Sequence, residues 1–273
     1  MRIGILLATV LSVVMSVSAA TFSSNTFALY EVDSALQSTI VAVPVSGYGA
    51  DGELSDARIN SLVCPHGLTE GDMLLAVTSG VSYAAWELKP VAGSTTGAME
   101  WRPIATAQRV DSGTRSSIIA ENDGTGTIAR GQGLMLIRKN PGTRDNKGKF
   151  SLFGLWKGGE TTVTIRGGSS SAPTYTMLAD PVAREPLNLN ALAWPAARIG
   201  ANDTLVLTSE SSASRVYLWD AKKNSWYYAK TAIANGMITT EYVYNLDPVP
   251  PGTGFWYVRR TEGDFTLTFP SDN

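Results

Sequence analysis

The sequence predicts an all-β protein: two homologous small antiparallel β modules in tandem, each sandwich or barrel-like, with few short helices. Three observations carry that expectation. Apolar residues recur with period two: Phe265, Leu267 and Phe269 alternate with Thr266 and Thr268, and Val163 and Ile165 with Thr162 and Thr164. Turn formers such as Asp123-Gly124, Gly167-Gly168 and Asp145-Asn146-Lys147-Gly148 punctuate these runs. A set of landmarks also occurs twice in the same order along the chain.

From the N-terminus, Met1-Arg2 precedes an apolar run from Ile3 to Val17 and the small residues Ser18-Ala19-Ala20. One positive charge, a short apolar core and a small-residue cut site predict a secretory signal peptide over 1–19. The run is too short for the roughly 20 residues that span a bilayer. No later stretch is long and apolar enough, so no membrane span is expected in the mature chain. Thr21 to Val32 contains Phe22, Phe27, Leu29 and Tyr30, too apolar for a free tail, and has no counterpart in the second half that the sequence alone aligns. It must pack on its own module, on the other module or on a neighbouring subunit. A short helix is expected over Asp56 to Val63, with Ile59, Leu62 and Val63 on one side and Pro65 ending it. Met73, Leu75 and Val77 then alternate with Leu74 and Ala76 as a strand.

The repeat sets the domain plan. Gly131-Gln132-Gly133-Leu134-Met135-Leu136-Ile137-Arg138-Lys139 recurs as Gly252-Thr253-Gly254-Phe255-Trp256-Tyr257-Val258-Arg259-Arg260. Ile40 to Val45 answers to Met177 to Val182, Leu62-Val63-Cys64-Pro65 to Leu192-Ala193-Trp194-Pro195, and Asp72 to Asp203. Trp86 and Trp101 answer to Trp219 and Trp226, and Phe150-x-Leu152 to Phe265-x-Leu267. The first β module, with its N-terminal strand, is placed at 20–166, a flexible linker at 167–173 and the second module at 174–273. The scaffold of the repeat is Trp86, Trp101, Gly131 and Gly133 in one half, and Trp219, Trp226, Gly252 and Gly254 in the other. In the second half, Arg215–Asp220 and Trp226–Ala229 should form a hairpin turned by Ala221 to Ser225.

The order of landmarks, with Pro251-Gly252-Thr253-Gly254-Phe255-Trp256-Tyr257 behind Tyr217-x-Trp219 and Trp226, resembles a β-repeat module of uncharacterised exported proteins from Verrucomicrobia-like bacteria. The resemblance covers nearly all of the mature chain. The first half departs from it at Leu134-Met135-Leu136, where the aromatics are lost. It implies export and an extracytoplasmic surface role, and it supplies no catalytic residues.

Composition narrows the chemistry. The chain has 22 Lys+Arg against 24 Asp+Glu, a net charge of −2, which excludes a strongly basic nucleic-acid binder. A single His excludes a multi-His metal site, and a single Cys excludes an intrachain disulfide framework. Cys64 is read as a small buried hydrophobe, with a thiol joining two chains as the alternative. Cys64 and His66 would share a face on a strand, but Pro65 between them points to a surface loop instead of a thiolate–imidazole pair. Asp72 and Asp203 each precede a strand and are read as turn caps accepting from backbone N–H groups. Asp51-Gly52-Glu53 and Glu121-Asn122-Asp123-Gly124 are thin in ligands for calcium. Arg138-Lys139 and Arg259-Arg260 are read as caps of solvated strand ends.

Trp219 and Trp226 recur and read as core; Tyr228, Trp256 and Tyr257 do not recur and are the candidate ligand aromatics. The expectation is a secreted, extracellular or cell-surface protein that is structural or self-associating and non-catalytic, with no cofactor or metal. Its expected partners are itself or other surface proteins, not nucleic acid. The alternative is a carbohydrate-binding or adhesive module that holds polysaccharide through exposed aromatics.

Overall fold

The computed structural model describes residues 27–34, 38–42, 47–48, 54–55, 57–59, 63–79, 82–104, 127–128, 131, 133–139, 148–155, 160–180, 186–207, 214–234, 237–250 and 252–270. The expected signal peptide and the two acidic loops at 51–53 and 121–124 lie outside them.

The strands of the first half are β1 (Phe27–Ser34), β2 (Ser38–Ala42), β3 (Gly47–Tyr48), β4 (Leu54–Ser55), β5 (Ala57–Arg58), β6 (Val63–His66), β7 (Met73–Ser79), β8 (Ser82–Pro90), β9 (Met99–Pro103), β10 (Thr127–Ile128), β11 (Gly133–Ile137) and β12 (Gly148–Leu155). Those that follow are β13 (Thr161–Ile165), β14 (Thr174–Ala179), β15 (Thr204–Leu207), β16 (Arg215–Asp220), β17 (Ser225–Ala234), β18 (Met237–Val243), β19 (Gly254–Arg259) and β20 (Phe265–Phe269). The fold is all-β and antiparallel, sandwich-like and not a closed barrel. Leu189–Ala191 and Ala196–Arg198 are single 3-10 turns. The short helix expected over Asp56 to Val63 does not form at its ends. Ala57–Arg58 pairs with β10 and Val63 begins β6, while Ile59 between them is helical and buried. Two turns of helix are marginal alone, and in-register pairing of β6 with β12 supplies more than helical spacing can.

Two large sheets share one strand order: β2-β11-β7-β8-β9, and β14-β19-β15-β16-β17 with β18 added at its edge. Their registers correspond. Gly133 lies opposite Ala42 as Gly254 lies opposite Ala179, and Leu88 opposite Trp101 as Trp219 opposite Trp226. Leu74 lies opposite Trp86, however, as Leu205 lies opposite Tyr217. Trp86 therefore takes the place of Tyr217, and Trp219 that of Leu88, two residues from the equivalence read in the sequence. Residues two apart share a face of a strand, so both alignments bury the same side and residue type alone cannot separate them.

Each closing strand has an outer partner. β1 runs antiparallel to β12 with Val32 opposite Phe150, and β13 runs antiparallel to β20 with Ile165 opposite Phe265. From Phe27 onward the N-terminal segment thus pairs within its own chain, and β13 is the positional counterpart of β1. That pairing also joins β13, which the sequence reading placed at the end of the first module, to the closing strand of the second. The stretch 167–173 is correspondingly no free linker. Gly167 N donates to Asp264 Oδ1 at 2.8 Å and Gly168 N to Thr261 O at 2.9 Å. A Cβ on Gly167 would sit 2.5 Å from the Gly263 backbone, and one on Gly168 2.4 Å from Arg259 O, so these glycines permit close backbone approach.

The buried residues alternate as the strands require. Leu74, Trp86, Leu88, Trp101, Leu134 and Leu136 form the inner side of the first large sheet. Leu178, Leu205, Tyr217, Trp219, Trp226, Phe255 and Tyr257 belong to one core with Ile165, Phe265, Leu267 and Phe269 of the β13–β20 pair. Burial of such rings at about 25 cal/mol per Å² supplies the main favourable term. A third contact lies on the opposite side of the second sheet, where fully buried Met177 packs against Met135 and Trp256. Gly131 joins the halves there: its carbonyl accepts from Ala179 N at 3.2 Å, and a Cβ would meet Thr161 Cγ2 at 2.8 Å. Gly131 and Gly252 both hold φ near +80°, at 81° and 77°.

Candidate interaction surface

The repeated aspartates explain themselves first. Asp203 is fully buried before β15. Its Oδ2 accepts from Gly200 N at 3.0 Å, Tyr257 OH at 3.0 Å and the Arg259 guanidinium at 2.8 Å. Its Oδ1 accepts from Arg260 N at 2.7 Å and Thr261 Oγ1 at 3.1 Å. Asp72 is built alike: it accepts from Thr69 N at 2.9 Å and Lys139 N at 2.8 Å, with Arg138 Nε 3.5 Å away. The aspartates do cap turns, and each also meets a buried arginine. Arg138 and Arg259 are therefore not solvated strand ends; they are 3% and 1% exposed, because the strand's alternation turns them inward towards the carboxylates. With five donors on Asp203 its lone pairs are committed, which suits it to holding strand ends together and not to proton transfer.

The three candidate ligand aromatics are not brought together. Tyr257 is fully buried, and burial first and then the Asp203 charge push its phenol far above the ordinary range. It is a core residue, stacked at 5.8 Å on Trp194. Trp256, its neighbour in β19, must point to the other face of the sheet, where it is half-buried against Met177 and edge-on to Tyr175 at 6.2 Å. Tyr228 is half-buried on the core side, edge-on to Tyr217 at 6.0 Å with the Arg215 guanidinium 5.3 Å from its ring. Of the scaffold tryptophans, Trp86 and Trp226 are fully buried, Trp101 1% and Trp219 5% exposed. Trp219 and Trp226 are cross-strand partners with ring centroids 5.1 Å apart. Cys64 and His66 occupy alternate positions of β6, opposite Ser151 and Lys149, so His66 ends a strand where a loop was expected. Among the described residues no cluster of three or more His, Cys, Asp or Glu could hold a metal ion.

Of the five large exposed apolar residues among those described, four lie elsewhere, on the outer face of the second sheet and its extension, and Met237 lies on the other face of the ribbon. Register pairs Val206 with Val216 and Leu218 with Tyr227, then Ala229 with Tyr242, Thr231 with Thr240 and Ile233 with Ile238. Partners in an antiparallel pair share a face, and residues two apart continue it. Val216 is 50% exposed, Tyr242 59%, Ile238 73% and Ile233 75%. This face continues from Trp256 and Met177, where Met177 meets Met135 of the first half, and carries no charge along the ribbon of β17 and β18. Tyr227 anchors it, with Tyr242 edge-on and Tyr244 tilted, both at 5.4 Å. Tyr244 donates to Asp220 Oδ2 at 2.7 Å, which pushes its phenol up to about 12 and draws the Asp220 carboxyl down. Lys223 Nζ lies 3.7 Å from the Tyr244 ring centroid.

The matching face of the first sheet has a different chemistry. There Glu87 lies opposite Arg102 and Lys89 opposite Glu100, with Lys89–Glu87 at 2.8 Å and Arg102–Glu100 at 2.7 Å. In corresponding register the second sheet replaces Glu87 with Leu218 and Arg102 with Tyr227. Tyr242 and Tyr244, alternating about Val243, are the residues that sequence reasoning missed; neither has a partner in the first half to draw attention to it.

No helix among the described residues is long and apolar enough to cross a membrane. No protein-family model, curated protein or solved structure matches the chain.

Proposed function

We propose that the chain is a non-catalytic, exported protein of two homologous modules that associates with itself as a structural component of the cell surface or extracellular matrix. The observation that carries this reading is the exposed, uncharged face of the β17–β18 ribbon, which continues the outer face of the second sheet past Asp220 and Tyr227. At the β8–β9 edge of the first sheet the equivalent face carries two ion pairs. Large exposed apolar side chains at one sheet edge, where the other sheet carries ion pairs, mark an interaction surface. Export is supported by the N-terminal charge, apolar run and small residues. Light scattering and electron microscopy of the purified protein test the reading: concentration-dependent oligomers or polymers are expected, and a monomer at every concentration overturns it.

A second reading has its own observation. Tyr227, Tyr242 and Tyr244 gather on that face, in place of Tyr228, Trp256 and Tyr257, and offer ring surface for stacking on a polysaccharide. Affinity electrophoresis in polysaccharide gels separates the two: retardation that Tyr242→Ala abolishes favours the carbohydrate reading.

A further inference from the structure

We infer that the protein's partner on this surface is a second copy of itself, joined through the free edge of β18 in an antiparallel, two-fold pairing centred on Thr240. The inference rests on the self-association reading and names its interface. β18 ends the six-stranded sheet, and the β16–β17 register stops at Tyr227, so the ribbon beyond it has two open edges among the described residues. From Met237 to Tyr242 every β18 residue is exposed. Proteins usually blunt such an edge with charge, proline or shortness. The terminal strand of the first sheet, β9, is blunted: its five residues include Glu100, Arg102 and Pro103. β18 has seven residues, no proline and a single charge, Glu241, which lies opposite Lys230 of its own ribbon.

The strand is self-complementary about its centre. Antiparallel pairing on Thr240 sets Ile238 opposite Tyr242 of the other copy, Met237 opposite Val243, Thr239 opposite Glu241 and Thr240 opposite itself. No like charges meet. Both Ile238–Tyr242 pairs fall on the uncharged face, so the two ribbons would form one uncharged strip continuous with Tyr227. Sliding the centre to Glu241 would oppose two carboxylates, and a one-residue slip would set this face against the other one. Main-chain hydrogen bonds supply affinity in strand addition, and the alternate side chains supply register.

Thr240 is exposed, so its variants should fold as the parent does, which far-ultraviolet circular dichroism checks. Thr240→Lys and Thr240→Glu each place like charges opposite one another only if Thr240 faces itself. By sedimentation velocity, each variant alone should dimerise at least about tenfold more weakly than the parent, and an equimolar mixture should recover the dimer. The pairing is overturned if either variant alone associates like the parent, or if the mixture stays apart; self-association through another surface then stands. A parent that is monomeric throughout overturns both the pairing and the proposed function. So does a monomer that instead sediments with phosphatidylcholine vesicles. Hydrogen exchange adds a further check: β18 amides should gain protection with protein concentration, and protection already complete in a monomer overturns the pairing by showing the edge covered within one chain.

Discussion

Asp203 and Arg259 illustrate what one buried pair demands of its surroundings. Two charges out of water are tolerable only when paired and fully hydrogen-bonded, and here the carboxylate has five donors while the guanidinium also donates to Arg198 O at 2.8 Å and Gly263 O at 2.8 Å. Asp203→Asn keeps the shape but leaves Arg259 uncompensated. It should cost about 3–5 kcal/mol in chemical denaturation; a loss within error of zero would mean the pair contributes only geometry. Tyr244 makes a gentler test. Its phenol is raised to about 12 from the ordinary value near 10, chiefly by the bond to Asp220. The folded state therefore holds that proton more tightly than the unfolded chain. The bond's contribution to stability is complete below pH about 10 and disappears as pH rises towards 12. Asp220→Asn should return one tyrosinate transition, followed by absorbance at 295 nm, towards pH 10.

At the scale of the strand, what pairs with what decides more than composition does. β1 is matched along its whole length to β12, from Phe27 opposite Leu155 to Ser34 opposite Gly148. Deleting Thr21 to Val32 should therefore strip the outer edge of β12 and destabilise the first half, seen as lost hydrogen-exchange protection in β12 and β6. Intact protection in the truncated protein would show that β1 is dispensable in its own chain. The all-β class, the Arg215–Asp220 hairpin and the buried tryptophans were legible in the sequence, because period-two patterning and turn residues act locally. Three things were not. Trp86 and Tyr217 share a register place that no similarity of residue type announces. Arg259 reads as a surface cation until strand parity turns it onto Asp203. Trp256 and Tyr257 read as one platform, although adjacent residues of a strand face opposite ways. Each is set by pairing between distant segments, which a linear reading does not contain.

The whole molecule raises the question of where one folding unit ends and the next begins. The core of the second half draws on Ile165 as well as on residues from Leu178 to Phe269, and β13 supplies the outer partner of β20 at all five of its positions. Gly167 and Gly168 then press that connection against the 259–264 loop, with Arg166 paired to Asp264 at 2.7 Å and Thr174 Oγ1 bonded to Arg166 O at 2.7 Å. A boundary at 174 would cut through this unit and expose the edge of β20, the situation in which sheets lose cooperativity or pair with another chain. A boundary before Glu160 would keep the core whole and uncover the patch around Met177 and Trp256 that now meets Met135, with Ala179 and Thr161 beside Gly131. Two fragments decide between them. Residues 160–273 should unfold cooperatively on heating and give dispersed amide resonances, whereas 174–273 should be aggregated or lack a sharp transition. Equal folding of both would mean that β13 contributes little to the second half, and that the 167–173 stretch is the true divide. Failure of both would mean that the Met135 contact is indispensable, making the two halves one cooperative unit.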